Sequence, residues 1–386
     1  MTYDPRGRPA AAPLVGLRRR PFELALRVPM ETAHGPIASR AGAVLELLDG
    51  EGRRGLGEAS PLLAWGDGDA ADVLRLLDAH AQDVLEDGRL PDGATGPGSA
   101  ALRCAIDVAQ LDLEAQRRGV PIAWLLSDRP RARVEVNAVI GDGSPAQAVV
   151  QANAAWAAGH RTLKLKVGAA QAEQDRRRVE AVRDALPDAT LRLDANGGWD
   201  EITAAAALER LSGYRIELVE QPVATDATDT TDTTEALARL RRAQLCRIAA
   251  DEAVTSLAAG RDLLTAEAAD VLVLKPMRLG GLRPALTLAR EAAERGVPCI
   301  VTTTFDAAVG VAAALHLAAA LPIVATLPGP AHGLATADHL AADLVTEPLR
   351  PRDGAMALPR VPGLGIRLDE HALEAAATGA WFALRA

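Results

Sequence analysis

Two hydrophobic textures divide the chain. In Phe22-Glu-Leu-Ala-Leu-Arg-Val28 and Ala43-Val-Leu-Glu-Leu-Leu48 apolar residues recur with the short period of half-buried β-strands. Between them lies Met30–Ser39, a polar connection with Gly35 and Pro36 that is long for a hairpin, and so a candidate lid or binding loop. Ala71–Leu85 and Ser99–Arg118 repeat apolar residues at spacings of three and four and predict helices, the second ending at Gly119-Val-Pro121. From Val134 strand-like runs begin near Val134, Thr162, Leu191, Ile216, Cys246, Val271, Cys299 and Ile323, at spacings of roughly 23 to 30 residues filled by Ala-rich amphipathic helices. That alternation predicts an α/β fold with a (β/α)7β TIM-like barrel. An open doubly wound sheet is the alternative, but no Gly-x-Gly-x-x-Gly follows any run, which removes its dinucleotide-binding form.

The expected organisation is an α+β capping domain over 15–130, the barrel over 131–327, and a segment over 328–386 that packs back on the cap. Residues 1–14, rich in Pro, Gly and Ala, are expected to be disordered. The Thr/Asp-rich stretch 224–234 reads as a mobile surface loop.

Composition narrows the function classes. A formal charge of -9 and scattered basic residues exclude a nucleic-acid surface, and Arg18-Arg-Arg20, the densest basic run, reads as a solvated face. No long apolar stretch marks a membrane span, and no apolar signal segment opens the chain, so a cytoplasmic enzyme is expected. Cys104, Cys246 and Cys299 are odd in number and widely spaced, which fits reduced structural thiols. Among 42 Lys+Arg only three are lysines: Lys164, Lys166 and Lys275. Arginine keeps its proton at neutral pH, whereas a buried lysine can be tuned to release it. Lys164 and Lys166, two residues apart on one strand, project to the same face.

In a barrel the carboxyl ends of the strands carry the chemistry. Read in order, they supply Lys164 and Lys166, then Asp194 and Asn196, Glu220, Asp251 and Glu252, and Lys275. A single acidic residue at a strand end is more often a helix cap or a surface charge. Three converging carboxylates, however, repel one another unless a cation joins them, and their hard oxygens suit Mg²⁺, with Mn²⁺ the alternative. Asp194, Glu220 and Asp251 are the expected ligands, with Asn196 and Glu252 in support. Lysines on flanking strands then suit removal of a proton beside a carboxylate. Thr303 and Thr304 after the seventh run, and Met30 and His34 in the long connection, are candidate substrate contacts. His316 and His332 read as packing or loop residues.

These segments resemble the enolase superfamily over nearly the whole chain. Lys-x-Lys, Asp-x-Asn, Glu-Gln-Pro, Asp-Glu and Leu-Lys-Pro agree in type, order and spacing, and Ala105-Ile-Asp-Val-Ala-Gln-Leu-Asp-Leu is similar to its capping-domain helix. Lysines on the second and sixth strands resemble the muconate-lactonizing subgroup, where a lysine base works with Mg²⁺. Val136-Asn-Ala-Val-Ile and Leu191-Arg-Leu-Asp-Ala-Asn-Gly-Gly-Trp look like the o-succinylbenzoate synthase group. The resemblance implies syn-dehydration of 2-succinyl-6-hydroxy-2,4-cyclohexadiene-1-carboxylate, a step of menaquinone synthesis, through a metal-stabilised enediolate. Lys166 would take the proton and return it to the departing hydroxyl, and Lys275 would stabilise developing charge. Lys164 would favour the uncharged form of Lys166 and touch the substrate carboxylate.

The same lysines suit racemisation of N-acyl(succinyl)amino acids, dipeptide epimerisation or muconate cycloisomerisation. Against the epimerase stands Ala325-Thr-Leu-Pro-Gly-Pro, which lacks a carboxylate pair at the expected eighth strand. A non-catalytic barrel would have lost a lysine or a ligand, and none is missing. The expected partner is a small carboxylate substrate, with homo-oligomerisation open.

Overall fold

The computed structural model describes residues 13–30, 37–141, 143–169, 171–225 and 230–386. The alternating N-terminal runs form antiparallel strands β1 (Leu14–Met30) and β2 (Ile37–Asp49), followed by β3 (Arg54–Ala59). Helices Ala70–Asp87 and Ser99–Arg118 cover one face of this sheet. Their contact needs glycine. A Cβ at Gly55 or Gly57 would stand 2.0 Å from the Ala109 or Ala105 carbonyl oxygen, so these two positions let the second helix lie directly on β3. Of the long connection, residues 31–36 lie outside the described residues, His34 among them, as does most of the expected disordered segment.

Arg18, Arg19 and Arg20 depart from a solvated face. They pair with Glu46, Asp78 and Glu374 respectively, and Arg18 lies 4.2 Å over the Trp381 ring. β1 is an interior strand of its sheet, so these residues meet neighbours on both sides rather than water.

The barrel strands follow: β4 (Arg133–Glu135), β5 (Ala138–Ile140), β6 (Thr162–Lys166), β7 (Thr190–Asp194), β8 (Ile216–Glu220), β9 (Ile248–Ala250), β10 (Val271–Leu274) and β11 (Cys299–Val301). β5 to β11 form one seven-stranded parallel sheet in sequential order. The run expected from Val134 therefore splits. Its first half, β4, pairs antiparallel with β12 (Ala355–Ala357), and only β5 joins the barrel.

The strand expected from Ile323 is not one. Residues 321–324 are irregular and Ile323 is exposed. Residues 331–333 take the eighth position instead. His332 bridges Val136 and Gly333 bridges Thr302, both in parallel, so the curled sheet closes on itself. Arg192 adds a tie across the interior by donating to the Ala331 carbonyl at 2.6 Å.

Helix Thr230–Arg242 absorbs residues 230–234 of the stretch read as a surface loop, because Thr233 donates back to the Ala224 carbonyl and an amphipathic run follows. The chain then returns to the cap, where β13 (Phe382–Arg385) adds an edge strand to β1. No helix among the described residues is long and apolar enough to cross a membrane, and Cys104, Cys246 and Cys299 are free thiols.

Candidate active site

Register places the chemistry. Lys166 on β6 pairs with Asp194 on β7, which pairs with Glu220 on β8. Asp251 and Lys275 follow directly on β9 and β10, so the carboxyl ends of five neighbouring strands contribute one cluster. Lys164 Nζ lies 2.8 Å from Asp194 Oδ2 and 2.9 Å from Glu220 Oε1. Lys166 Nζ lies 2.8 Å from the same Asp194 oxygen and 2.5 Å from Asn196 Oδ1. Lys275 pairs with Asp251 on the other wall, its ammonium 4.1 Å from the centre of the Trp65 ring, a cation–π contact supplied by the cap. Of the two β6 lysines, Lys166 is the more open, with 28% of its side chain exposed against 12% for Lys164.

Charge is concentrated and dry. Asp194, Glu220 and Asp251 are only 1%, 3% and 4% exposed. Burial, with help from Asp194 and Asp251, pushes the Glu220 carboxyl up to about 8 against the pull of Lys164. Burial also opposes ionisation of Asp194, but Lys164 and Lys166 outweigh it and hold that carboxyl well below its usual range. Lys164 shows the mirror image: burial works against its charge, and Asp194, Glu220 and Asp251 overcome it.

Asn196 and Glu252 meet each other beside this cluster. Asn196, in the left-handed region at φ 44°, accepts from Lys166 and donates 2.9 Å to Glu252 Oε1. Burial and the neighbouring Asp251 charge raise the Glu252 carboxyl.

As the side chains lie, no three acidic, histidine or cysteine residues among those described form a closed ligand cluster, because lysine ammonium groups are interleaved with the carboxylates. The donor chemistry nevertheless fits a hard divalent cation. Asp194, Glu220 and Asp251 are three buried oxygen donors at neighbouring strand ends, and the Asp194 and Asp251 charges oppose ionisation of Glu220.

The Thr303 and Thr304 hydroxyls are engaged within the protein, with Thr336 Oγ1 at 2.8 Å and Asp306 Oδ1 at 2.7 Å. Nearby backbone N–H groups are engaged as well: those of Ala307 and Gly310 donate to Glu58, and that of Ala308 to Asp343. Met30 ends β1. His316 and His332 are packing residues. The His316 ring accepts from the Ala123 N–H and meets the Leu364 carbonyl, His332 accepts from the Val301 N–H, and burial lowers both. The closing segment and the residues after it, 331–336, hold no carboxylate pair.

Sequence reasoning missed Trp65 and Gln221. Gln221, fully buried with φ 37°, accepts through one oxygen from the Asp251 and Ala253 N–H groups and so fixes the start of the Asp251 turn. Its position within Glu-Gln-Pro, beside a ligand candidate, was the available signal. Nothing in the sequence alone brings Trp65 to Lys275, since the contact depends on cap docking.

Residues 147–372 match the enolase C-terminal domain-like family. The chain is 41% identical over 251 residues to an o-succinylbenzoate synthase of Thermobifida fusca (strain YX), covering 64% of this chain and 73% of that one. It is 29% identical over 363 residues to muconate cycloisomerase 1 of Pseudomonas putida, covering 90% and 93%. Among solved structures, muconate lactonizing enzyme from Pseudomonas fluorescens complexed with muconolactone superposes with a TM-score of 0.85 at 26% identity, over 95% of this chain and 100% of that one. An N-succinyl Arg/Lys racemase from Bacillus cereus ATCC 14579 shares the fold, with a TM-score of 0.86 at 24% identity over 97% and 100%.

Proposed function

This chain belongs to the enolase superfamily, and within it we propose an o-succinylbenzoate synthase activity: syn-dehydration of 2-succinyl-6-hydroxy-2,4-cyclohexadiene-1-carboxylate, as a step of menaquinone synthesis. One observation carries the reading: the three lysines of the chain stand on two walls of a single buried carboxylate set. The identity to the Thermobifida fusca enzyme supports the choice of substrate.

Asp194, Glu220 and Asp251 would hold Mg²⁺, which members of this superfamily generally use. When bound, the cation supplies Lewis-acid stabilisation of charge developing on the substrate carboxylate. Lys166 is the base. Its neutral amine takes the proton from the ring carbon beside the carboxylate, and the resulting ammonium gives that proton to the departing hydroxyl. The C–H and C–O bonds break, water leaves, and the ring becomes aromatic. One amine serving one face makes the elimination syn. Asn196 and Asp194 hold Nζ in place for both transfers. Lys275, held by Asp251 and the Trp65 face, places a positive charge on the opposite wall.

A second reading rests on that opposition. Lysines on two walls can also exchange a proton on either face of one carbon, as racemisation of an N-acylamino acid requires. The deciding experiment follows loss of the diene absorbance with Mg²⁺, beside a panel of N-succinylamino acids, dipeptides and muconate incubated in D₂O. Rapid loss of the diene is expected. No loss, with deuterium entering an N-succinylamino acid, would replace the dehydratase by the racemase.

A further inference from the structure

Behind β6, on the side away from the carboxylates, a buried ion pair grips the strand that carries Lys166. Arg178 and Asp175, on helix Ala172–Ala185, are 1% and 2% exposed and pair at 3.2 Å. Further bonds of the pair run to strand ends. Arg178 donates 2.7 Å to the backbone carbonyl of Lys166 itself and 2.5 Å to that of Gly141, just past β5. Asp175 accepts from the Gly168 N–H at 2.9 Å, two residues beyond Lys166. Gly168 turns the chain there at φ 90°, in the region that favours glycine.

A buried ion pair is a poor source of stability. Desolvation opposes its formation, and well-packed apolar replacements of both partners are often as stable or more so. Strand β6 has its ladder to β5 and β7 besides this clamp. What the pair adds is definition of one point. It fixes the Lys166 carbonyl and the turn after it, while Asp194 and Asn196 fix the far end of the same side chain.

We propose that the Asp175–Arg178 pair is a positioning element for Lys166, holding the end of β6 so that Nζ meets the substrate carbon. The inference rests on the reading of Lys166 as the base. Misplacement of a reacting group by about 1 Å can cost on the order of a hundredfold in rate.

The test uses Arg178→Met, Asp175→Leu and their combination, with Arg178→Lys as the variant that keeps charge but lacks the two-armed reach to both carbonyls. Turnover of the cyclohexadiene with Mg²⁺, melting temperature and the ¹³Cε resonances of labelled lysine are measured. With three lysines in the chain, three resonances are expected, assigned by single Lys→Arg changes. The combined variant should melt within about 3 °C of wild type, lose roughly 10- to 100-fold in kcat, and change KM by less than about twofold. The Lys166 resonance should move or broaden while that of Lys275 stays put. A kcat loss that merely tracks the unfolded fraction, or an unmoved Lys166 resonance, would overturn the proposal. If the combined variant does not fold, the same comparison in Arg178→Lys decides. If wild type does not turn over the diene, the dehydratase reading fails by itself, and the resonances still decide whether the pair positions Lys166.

Discussion

Asp194 stands at the centre of the site. One of its oxygens meets both Lys164 and Lys166, and the other accepts the Asn196 N–H at 3.1 Å. As a cation ligand it would bind metal and order the lysines at once. Asp194→Asn is therefore expected to weaken Mg²⁺ binding by at least about tenfold, read by calorimetry; unchanged affinity would remove it from the ligand set. The lysines were legible because their scarcity set them apart and their strand period aligned them. The carboxylates were legible because they end consecutive strands. The surroundings of Thr303 and Thr304 were not legible. Exposed hydroxyls and hydroxyls committed to Thr336 and Asp306 look the same in a sequence.

At the level of elements, strand–helix alternation located β6 to β11 well, since each is a short buried apolar run, and those of β6 to β10 lead into Lys166, Asp194, Glu220, Asp251 and Lys275. It misplaced the closing strand. Leu321-Pro-Ile-Val-Ala is apolar but stays irregular, while Ala331-His-Gly, with no strand signature, closes the barrel through backbone bonds to Val301, Thr303, Glu135 and Asn137. The C-terminal β13 is equally unreadable, because it is a short edge strand held by a partner some 365 residues away in sequence (Arg385 to Gly16, 369 apart; Phe382 to Arg19, 363 apart). Trp381, at its entrance, lies under Arg18. Trp381→Ala should lower stability by about 1–2 kcal/mol, measured by urea unfolding. An unchanged midpoint would show that the tail does not brace the cap sheet.

Over the whole molecule, cap and barrel meet through buried charge. Glu58 on β3 accepts from Ala307 and Gly310, at the start of barrel helix Ala308–Ala320, and stands near Asp306 and Arg40. Burial and the Asp306 charge push the Glu58 carboxyl from 4.5 up to about 7. The folded chain therefore keeps a proton that the unfolded chain releases. The stability this group contributes is complete below 4.5 and is lost as pH rises through about 7, an effect of roughly 3 kcal/mol. Glu58→Gln should flatten that part of the profile, measured by denaturant unfolding at pH 5 and pH 8; an identical slope would show that Glu58 is ionised throughout. Composition could not show this contact, since it joins residues 58 and 310 across two units. The same docking brings Trp65 onto Lys275 and completes the site.

The central claim is that Lys166 moves the proton. Its most direct test is turnover of the cyclohexadiene by wild type and Lys166→Ala at saturating Mg²⁺, with melting temperature and Mg²⁺ affinity matched. A fall of at least about 10³-fold in kcat is predicted; a variant retaining turnover within tenfold of wild type would contradict it.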